Sequence, residues 1–437
     1  MKKKLSLFMI VSLILSLIGG CAPALKGKET SCDTLTHDGY TLEQVVVLSR
    51  HNIRSPLSAK GSILDTMTPH EWFEWTSDPS ELSVRGGVLE NEMGQYFREW
   101  LEDEELFPDN YMPTEKEVRI YANSKQRTIA TANYFKSGLL PVSDMPVEYH
   151  AEFDTMDPVF NPQLTFVSDE YAKDATKQII EMFDDDIEEL KDNYELLSRV
   201  IDVKKSEDWQ SGAFTGFRTD DTVIILEEGK EPAMKGSLKT GCSIADALVL
   251  QHYETDNRSA SFGRNLTDIQ WKQISEIKDL YGDVLFTAPL VATNVAHPLL
   301  QEIDSELENK NRKFTFLCGH DSNVGSVLAA LSVEDYELPN AVERATPIGC
   351  KIVISKWKNA AGEEFISVDL VYQNVEQLRG ASVLGDDNHP EIVNLKFKGL
   401  QQNADGLYKA KDFESRLHEA IEAYDELVEN YSVPLAA

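Results

Sequence analysis

The chain is poor in basic residues and in cysteine. It has 42 Lys and Arg against 74 Asp and Glu, a formal net charge of -32, so most of its exterior repels nucleic acid and anionic membrane surfaces. We therefore expect neither as a partner. The five cysteines include no CxxC pair and no zinc-ligand spacing, which argues against a zinc site. An acidic exterior still permits a local cluster of arginines that binds an anion.

Internal repeats and long low-complexity segments are also absent from the sequence. Nothing in it therefore predicts a repeat architecture. What the chain does have is length and apolar content: 437 residues, of which 42% are hydrophobic and 9% aromatic. That is enough for a substantial core, and the length predicts one large domain with an insertion.

The N-terminus has the pattern of an export signal. Lys2 to Lys4 form a positive segment, and residues 5–18 form an apolar segment too short to cross a bilayer comfortably. Residues 18–21 read Ile-Gly-Gly-Cys, similar to a bacterial lipobox, in which cleavage precedes a lipid-bearing cysteine. We predict a signal peptide at 1–20, lipidation at Cys21 and a tether at 21–40. The protein would then be an exported lipoprotein, periplasmic or on the cell surface. Its only contact with the membrane would be the lipid on Cys21. The alternative is ordinary secretion with an incidental cysteine.

Four cysteines remain after Cys21, namely Cys32, Cys242, Cys318 and Cys350. An even number in an oxidising compartment allows disulfides, but no spacing indicates a pairing. Cys318 lies in an apolar run and is more simply interpreted as a small buried hydrophobic residue.

Three apolar segments of the sequence end in polar clusters. The segments have the composition of buried strands and are 45–48, 118–122 and 314–318. The clusters that follow them are 50–54, 123–127 and 319–322, and helices are expected at 128–135 and 324–331. In open α/β sheets, ligands bind beyond the carboxyl ends of strands, where helix N-termini also favour anions. The three clusters are therefore predicted to meet at one phosphate.

The remaining pattern predicts an α/β fold with a mixed central sheet flanked by helices. Residues 351–357 and 365–372 flank the turn-forming segment 359–362 and indicate an antiparallel hairpin. We assign the α/β domain to 41–153 and 268–437.

A smaller inserted domain is predicted at 154–267. It is expected to be mainly helical, because apolar residues recur there at helical spacing. Its acidic run 184–189 lacks the ligand alternation and the glycine of a calcium loop, so we interpret it as a solvated helix face.

The clusters contain the residue types that phosphate transfer needs. Such a site requires charge stabilisation around the phosphoryl group, an in-line nucleophile and a proton donor. Arg50 and Arg54 flank His51, and guanidinium groups bind phosphate oxygens in pairs. Surrounding cations are expected to keep His51 neutral, so that its imidazole retains a lone pair in mildly acid conditions.

Residues 50–56, Arg-His-Asn-Ile-Arg-Ser-Pro, resemble the RHGxRxP signature of the histidine acid phosphatases, and Gly319-His320-Asp321 resembles the HD motif of that family. Further similar segments are 85–87, 123–128, 155–158 and 346–349, so the resemblance covers nearly the whole mature chain. It implies a phosphoglycerate mutase-like α/β fold and hydrolysis of phosphate monoesters, with no metal or other cofactor.

The resemblance also implies roles for individual residues. His51 would form a phosphohistidine, and Asp321 would protonate the leaving alkoxide and later take a proton from water. The substrate-binding residues would be Arg50, Arg54, Arg127 and His320, together with Glu231, which would restrict the leaving groups that fit. Two simpler alternatives stay open: Asp321 only caps a helix, and Arg127 only pairs with surface acids.

Within the family, Asn52, Ser322 and residues 371–379 are most similar to the periplasmic glucose-1-phosphatases. The preferred substrate is therefore predicted to be glucose 1-phosphate or a similar sugar phosphate. Two positions depart from the family pattern: Asn52 replaces the usual glycine, and Lys351 stands where related phytases tend to carry an acid. The alternatives are a broad acid phosphatase or phytase acting on inositol hexakisphosphate and, from another class, a lipoprotein that binds sugar phosphates without hydrolysing them.

Overall fold

A computed structural model describes residues 31–32, 34–58, 61–385 and 387–432. The predicted signal peptide, Cys21 and the first part of the predicted tether lie outside these residues. None of the helices within the described ranges combines the length and the apolarity needed to cross a bilayer.

The described part of the chain forms ten strands and thirteen helices. The strands are β1 Ser31–Cys32, β2 Tyr40–Arg50, β3 Val118–Ala122, β4 Val223–Ile225, β5 Ala233–Lys235, β6 Phe314–Gly319, β7 Lys351–Asn359, β8 Glu364–Tyr372, β9 Glu391–Asn394 and β10 Tyr408–Lys409. The helices are α1 Ile63–Thr66, α2 Val84–Asp103, α3 Gln126–Leu139, α4 Asp169–Glu189, α5 Lys191–Val200, α6 Glu207–Ser211, α7 Ser237–Glu254, α8 Asn257–Ala260, α9 Asp268–Phe286, α10 Pro289–Glu308, α11 Asp321–Ala330, α12 Val375–Gly380 and α13 Ala410–Ser432, with a 3-10 turn at Val203–Lys205.

The central sheet is mixed, as predicted. Its strand order is β1-β9-β8-β7-β2-β6-β3, with β10 paired to β8. Strands β2, β6 and β3 are parallel, and their last residues lie side by side, with Arg50 opposite Gly319 and Ala122 opposite Cys318. The carboxyl ends of these three strands therefore open onto one edge of the sheet. The predicted hairpin is present as β7 and β8, which pair antiparallel.

Helices cover both faces of this sheet. Along β2, Val45 and Val47 face the layer formed by α2 and α3, whereas Val46 and Leu48 face the layer formed by α10, α11 and α13. All four side chains are fully buried. Because β2 has no solvent-facing side over this stretch, its sequence is a continuous apolar run with no polar alternation.

A third, helical core lies beside the sheet. It is formed mainly by α4, α5, α7 and α9, and residues 154–267 hold α4 to α8 and the two-stranded sheet of β4 and β5. Helix α9 begins at Asp268 and continues this core, with Ile277 against Gly241 of α7. The boundary at 267 therefore stays a prediction. The acidic residues of the run 184–189 are exposed, as expected.

The folded part of the chain begins earlier than predicted. Strand β1 pairs with β9, and Leu35 is buried inside the segment assigned to the tether at 21–40. A two-residue strand has no readable period, and its partner lies at the other end of the chain.

Cys242, Cys318 and Cys350 are free thiols, of which Cys318 and Cys350 are fully buried. The side chains of Cys21 and Cys32 lie outside the described residues.

Candidate active site

His51 lies just beyond the end of β2 and is buried, with 3% of its surface exposed. Its backbone N–H donates to the Gly319 carbonyl, which ties it to the end of β6. Its Nδ1 lies 2.9 Å from the Asn52 carbonyl oxygen. A carbonyl only accepts hydrogen bonds, so Nδ1 of the neutral ring carries the proton and Nε2 keeps the free lone pair. The structure thus presents Nε2 as the nucleophilic atom.

The surroundings of His51 keep the ring neutral. Burial lowers its pKa well below the usual 6.5, and the charge of Arg127 lowers it further, as do those of Arg54 and Arg50. The predicted neutral imidazole is therefore present, although burial contributes more than the cations do.

Two arginines from the first cluster are held by carboxylates. Arg50, 2% exposed, has Nη2 at 3.2 Å from Asp321 Oδ2 and Nη1 at 3.6 Å from Glu343 Oε1. Arg54 faces Asp246 with both terminal nitrogens, at 3.1 and 3.4 Å. Each guanidinium is therefore fixed in direction before substrate arrives.

Arg127, from the second cluster, differs from these two because it has no salt bridge within the described part of the chain. Its Nη2 lies 3.4 Å from His320 Nδ1. Burial and then the nearby Arg54 lower its pKa to about 10. The buried Nε atoms of Arg50, Arg54 and Arg127 all lack a hydrogen-bond partner among the described residues. Guanidinium N–H groups without a partner favour an incoming anion. Arg127 lies beside His320 and forms no salt bridge in the described residues, which contradicts the alternative that it only pairs with surface acids.

His320 follows β6 and lies with its ring centroid 5.4 Å from that of His51. Its Nε2 is 2.7 Å from Asn123 Nδ2. The other amide atom, Asn123 Oδ1, accepts from the Asp157 backbone N–H, which fixes the amide orientation. Nε2 of His320 therefore accepts a hydrogen bond, and Nδ1 carries the proton of the neutral ring. Nδ1–H and Arg127 Nη2 are then two donors that face each other at 3.4 Å, not a hydrogen-bonded pair. Burial, and then Arg127, lower the pKa of His320 well below 6.5.

Asp321 is the first residue of α11, and half of its side chain is exposed to the cleft. It accepts from the Ser322 backbone N–H at 2.9 Å and pairs with Arg50, so the helix-terminal contact and the site contact coexist. Burial acts to raise its pKa, but the charges of Arg50 and Lys278 outweigh burial and hold the pKa well below the usual range. Without substrate, Asp321 is therefore a carboxylate.

His51, Arg54, Arg127, His320 and Asp321 line one cleft of about 770 Å³, and Arg50 adjoins it through its contact with Asp321. Its outer walls are mainly acidic, with the carboxylates of Asp186, Glu231, Asp246, Asp279, Asp283, Glu334 and Asp335 against the cations of Lys239, Lys278 and Arg344. Glu231 is exposed to the cleft. Partial desolvation raises its pKa, and Arg127 opposes that shift. The predicted site residues are therefore brought together, and Glu231 lies on the wall beside them.

Several residues of the site were missed from the sequence. Asp246 is 192 positions from Arg54, and Glu343 lies in a loop without a motif, yet both hold arginines of the site. Lys278 contacts Asp279 at 2.8 Å and lies 3.8 Å from Glu343. No spacing in the sequence could have indicated these pairs. Asn123 lies in segment 123–128, which resembles the histidine acid phosphatases, but it was not predicted as a site residue.

One group of potential metal ligands occurs among the described residues, formed by Asp304, Glu308 and His418. His418 Nε2 already contacts Asp304 Oδ1 at 3.1 Å, and Glu308 and His418 are exposed. None of the three lines the cleft.

Comparison with known proteins gives a consistent result. A profile of the histidine phosphatase superfamily (branch 2) matches residues 41–373. A glucose-1-phosphatase of Salmonella typhimurium is 37% identical over 390 residues, covering 88% of this chain and 94% of that protein. One from Providencia rettgeri is 35% identical over 426 residues, covering 95% and 99%. The solved apo structure of a Hafnia alvei phytase has a TM-score of 0.80 at 26% identity, covering 89% of this chain and 99% of that one.

Proposed function

Because the chain belongs to the histidine phosphatase superfamily (branch 2) and is a phosphatase, we propose that it hydrolyses glucose 1-phosphate or a similar sugar phosphate through a phosphohistidine at His51. The observation that carries this proposal is the free Nε2 lone pair of His51 beside the buried ring of His320 and the guanidinium of Arg127, which has no carboxylate partner among the described residues. A nucleophile and anion-binding donors thus share one buried site.

In the first step, Nε2 of His51 attacks phosphorus and the bond from phosphorus to the ester oxygen breaks. The electron pair stays on that oxygen, which takes a proton from Asp321. Arg50, Arg54 and Arg127, with Nδ1–H of His320, hold the three other phosphoryl oxygens. Because these donors are fixed beforehand, little reorganisation is needed as charge develops.

In the second step, the Asp321 carboxylate takes a proton from water as the water oxygen attacks the phosphohistidine. The phosphorus–nitrogen bond breaks, its electron pair returns to Nε2 of His51, and inorganic phosphate leaves. The half-exposed position of Asp321 allows water to reach it.

The acidic cleft walls support a substrate with an uncharged leaving group. A polyphosphorylated substrate would bring further phosphates against Asp186, Glu231, Glu334 and Asp335, for which no salt bridge is found in the described residues. Like charges placed together cost several kcal/mol. A sugar hydroxyl brings no such penalty, and the two relatives named glucose-1-phosphatase support the same choice.

The competing substrate is inositol hexakisphosphate, suggested by the structural likeness to phytases. We expect kcat/KM for glucose 1-phosphate to exceed that for inositol hexakisphosphate by about 100-fold at acid pH, the scale of a few kcal/mol of like-charge repulsion. Release of inorganic phosphate from both substrates measures this ratio, and added chelator is expected to leave it unchanged.

The change Glu231→Gln is expected to narrow this ratio, because it removes one negative charge from the wall. Glu363→Gln, on an exposed hairpin turn outside the cleft, is the matched control. Equal or greater kcat/KM for inositol hexakisphosphate in the wild type would instead assign the chain as a phytase.

We propose further that the protein is exported and anchored by a lipid on Cys21. The support is the sequence of residues 2–21, in which a positive segment is followed by an apolar segment and then by Ile-Gly-Gly-Cys. In a bacterial host, the wild type is expected in the membrane fraction and Cys21→Ser in the soluble exported or unprocessed fraction. Cys32→Ser is the matched control and should stay with the membrane. Identical partition of the Cys21 variant and the wild type would exclude the anchor.

A further inference from the structure

An ion pair lies buried beneath the nucleophile. Lys351 Nζ, at the start of β7, is 2.8 Å from Glu90 Oε1 on α2, and neither side chain is exposed. A buried pair of this kind is often no more stabilising than apolar residues of the same volume, whereas loss of one partner is strongly destabilising. Stability alone therefore does not explain why the chain has an ion pair at this position.

The pair is connected directly to the loop after β2. The second carboxylate oxygen, Glu90 Oε2, accepts from Asn52 Nδ2 at 2.9 Å. Asn52 Oδ1 accepts from the Ile53 backbone N–H at 2.8 Å, and the Asn52 backbone N–H donates to Thr131 Oγ1 at 3.2 Å. Asn52 is thereby held through its side chain and its main chain, and no exposed surface remains on it.

The same contacts reach the two peptide groups that follow His51, between His51 and Asn52 and between Asn52 and Ile53. The Asn52 carbonyl accepts from His51 Nδ1–H, and the His51 carbonyl accepts from the Gly349 N–H at 3.1 Å. Lys351 Nζ in turn donates to the Gly349 carbonyl at 2.9 Å. Gly349 has φ +70°, and a Cβ there would lie 2.6 Å from Asn52 Nδ2. The space for the Asn52 side chain therefore depends on a glycine at that position.

From this arrangement we propose that Asn52, Glu90 and Lys351 are positioning residues for the nucleophile. They fix the Asn52 carbonyl so that Nδ1 of His51 keeps its proton and Nε2 faces the phosphoryl group. The inference rests on the proposed role of His51. The two positions that depart from the family sequence pattern, Asn52 and Lys351, are joined here through one carboxylate.

The most direct test is Asn52→Ala, which removes the side-chain contacts and leaves the Glu90–Lys351 pair in place. We expect kcat to fall about 10-fold to 100-fold, the usual effect of losing a residue that orients a catalytic group. KM should change by less than about twofold, because the arginines that bind phosphate are untouched. The ¹⁵N shifts of the His51 ring should show a loss of the single Nδ1–H tautomer.

The matched control is Asn294→Ala. Asn294 is equally buried and bonds Thr165 and Phe166, with no link to His51. It should lower Tm in a similar way and leave kcat and the His51 ring shifts at wild-type values. If Asn52→Ala only lowers Tm as this control does, the network is structural and the inference is wrong.

A second variant keeps the test valid if Asn52→Ala does not fold. Glu90→Leu with Lys351→Met removes both charges together, so the apolar pair should retain stability. It leaves Asn52 Nδ2 without its acceptor, and kcat is expected to fall as in Asn52→Ala. Wild-type kcat in this folded double variant would overturn the proposal. Phosphohistidine formation is followed in every variant, because its absence from the wild type would contradict the function itself and not the positioning.

Discussion

Replacement of His51 by alanine is expected to lower kcat by about 10,000-fold or more, the scale seen when a covalent nucleophile is removed. Arg127 and His320, which lie beside it, are proposed to donate to the phosphoryl oxygens and are not expected to take over. Reaction with labelled substrate, stopped in alkaline denaturant to preserve a phosphorus–nitrogen bond, should trap label on the wild type and none on His51→Ala.

The control for this experiment is His389→Ala, since His389 is exposed and lies outside the cleft. It should retain wild-type labelling and rate. Circular dichroism and Tm show whether the His51 variant is folded. Label retained in folded His51→Ala would place the nucleophile elsewhere. A wild type that turns over substrate without ever carrying label would exclude the covalent intermediate.

The convergence of the three clusters could be predicted because it depends on local sequence and simple topology. Strands β2, β3 and β6 each contain a largely buried apolar run, and polar residues follow each run. Parallel strands align their carboxyl ends, so once the pattern is interpreted as parallel strands, the meeting of His51, Arg127 and His320 follows. The family resemblance then supplied their roles.

The remainder of the site could not be predicted, because it depends on contacts between distant elements. Asp246 reaches Arg54 from α7, and Glu343 reaches Arg50 from a loop. Glu90 is the clearest case. In the sequence of α2 it is one acid among several, and no local rule predicts that it is fully buried. Only its partners, Lys351 and Asn52, explain why a carboxylate is tolerated there.

The prediction that the fold begins after residue 40 was wrong for a related reason. Strand β1 is fixed by pairing with β9, more than 350 residues along the chain. Its sequence alone has neither period nor composition typical of a strand. Local patterns thus located the long buried elements, whereas short edge elements and charged contacts depended on the completed fold.

The change Asp321→Asn should separate substrates by leaving group. A sugar alkoxide needs a proton as it departs, so kcat on glucose 1-phosphate is expected to fall about 100-fold to 10,000-fold. Nitrophenolate leaves without a proton, and the rate on p-nitrophenyl phosphate should fall less than about 10-fold by the same reasoning. Asp412→Asn, an exposed acid in the first turn of α13, is the matched control. Equal losses on both substrates would remove Asp321 from the general-acid role.

The charge on Asp321 also determines where its proton comes from. Arg50 and Lys278 hold its pKa well below the usual range, so it is ionised in the free enzyme through mildly acid pH and has no proton to donate. The proton must arrive with the substrate as a phosphate monoanion, whose second pKa is about 6. A bound phosphate then interacts with Arg50, so Arg50 stabilises the Asp321 carboxylate less. The pKa of Asp321 rises, and the proton can reside on it.

The pH profile of kcat/KM tests this transfer. Its alkaline limb should begin near pH 6 and should shift with the second pKa of the substrate phosphate when substrates of different acidity are compared. Its acid limb should lie well below 6.5, because the pKa of His51 is lowered and the nucleophile stays neutral there. An alkaline limb at one fixed pH for all substrates would mean that an enzyme group, and not the substrate, supplies the proton.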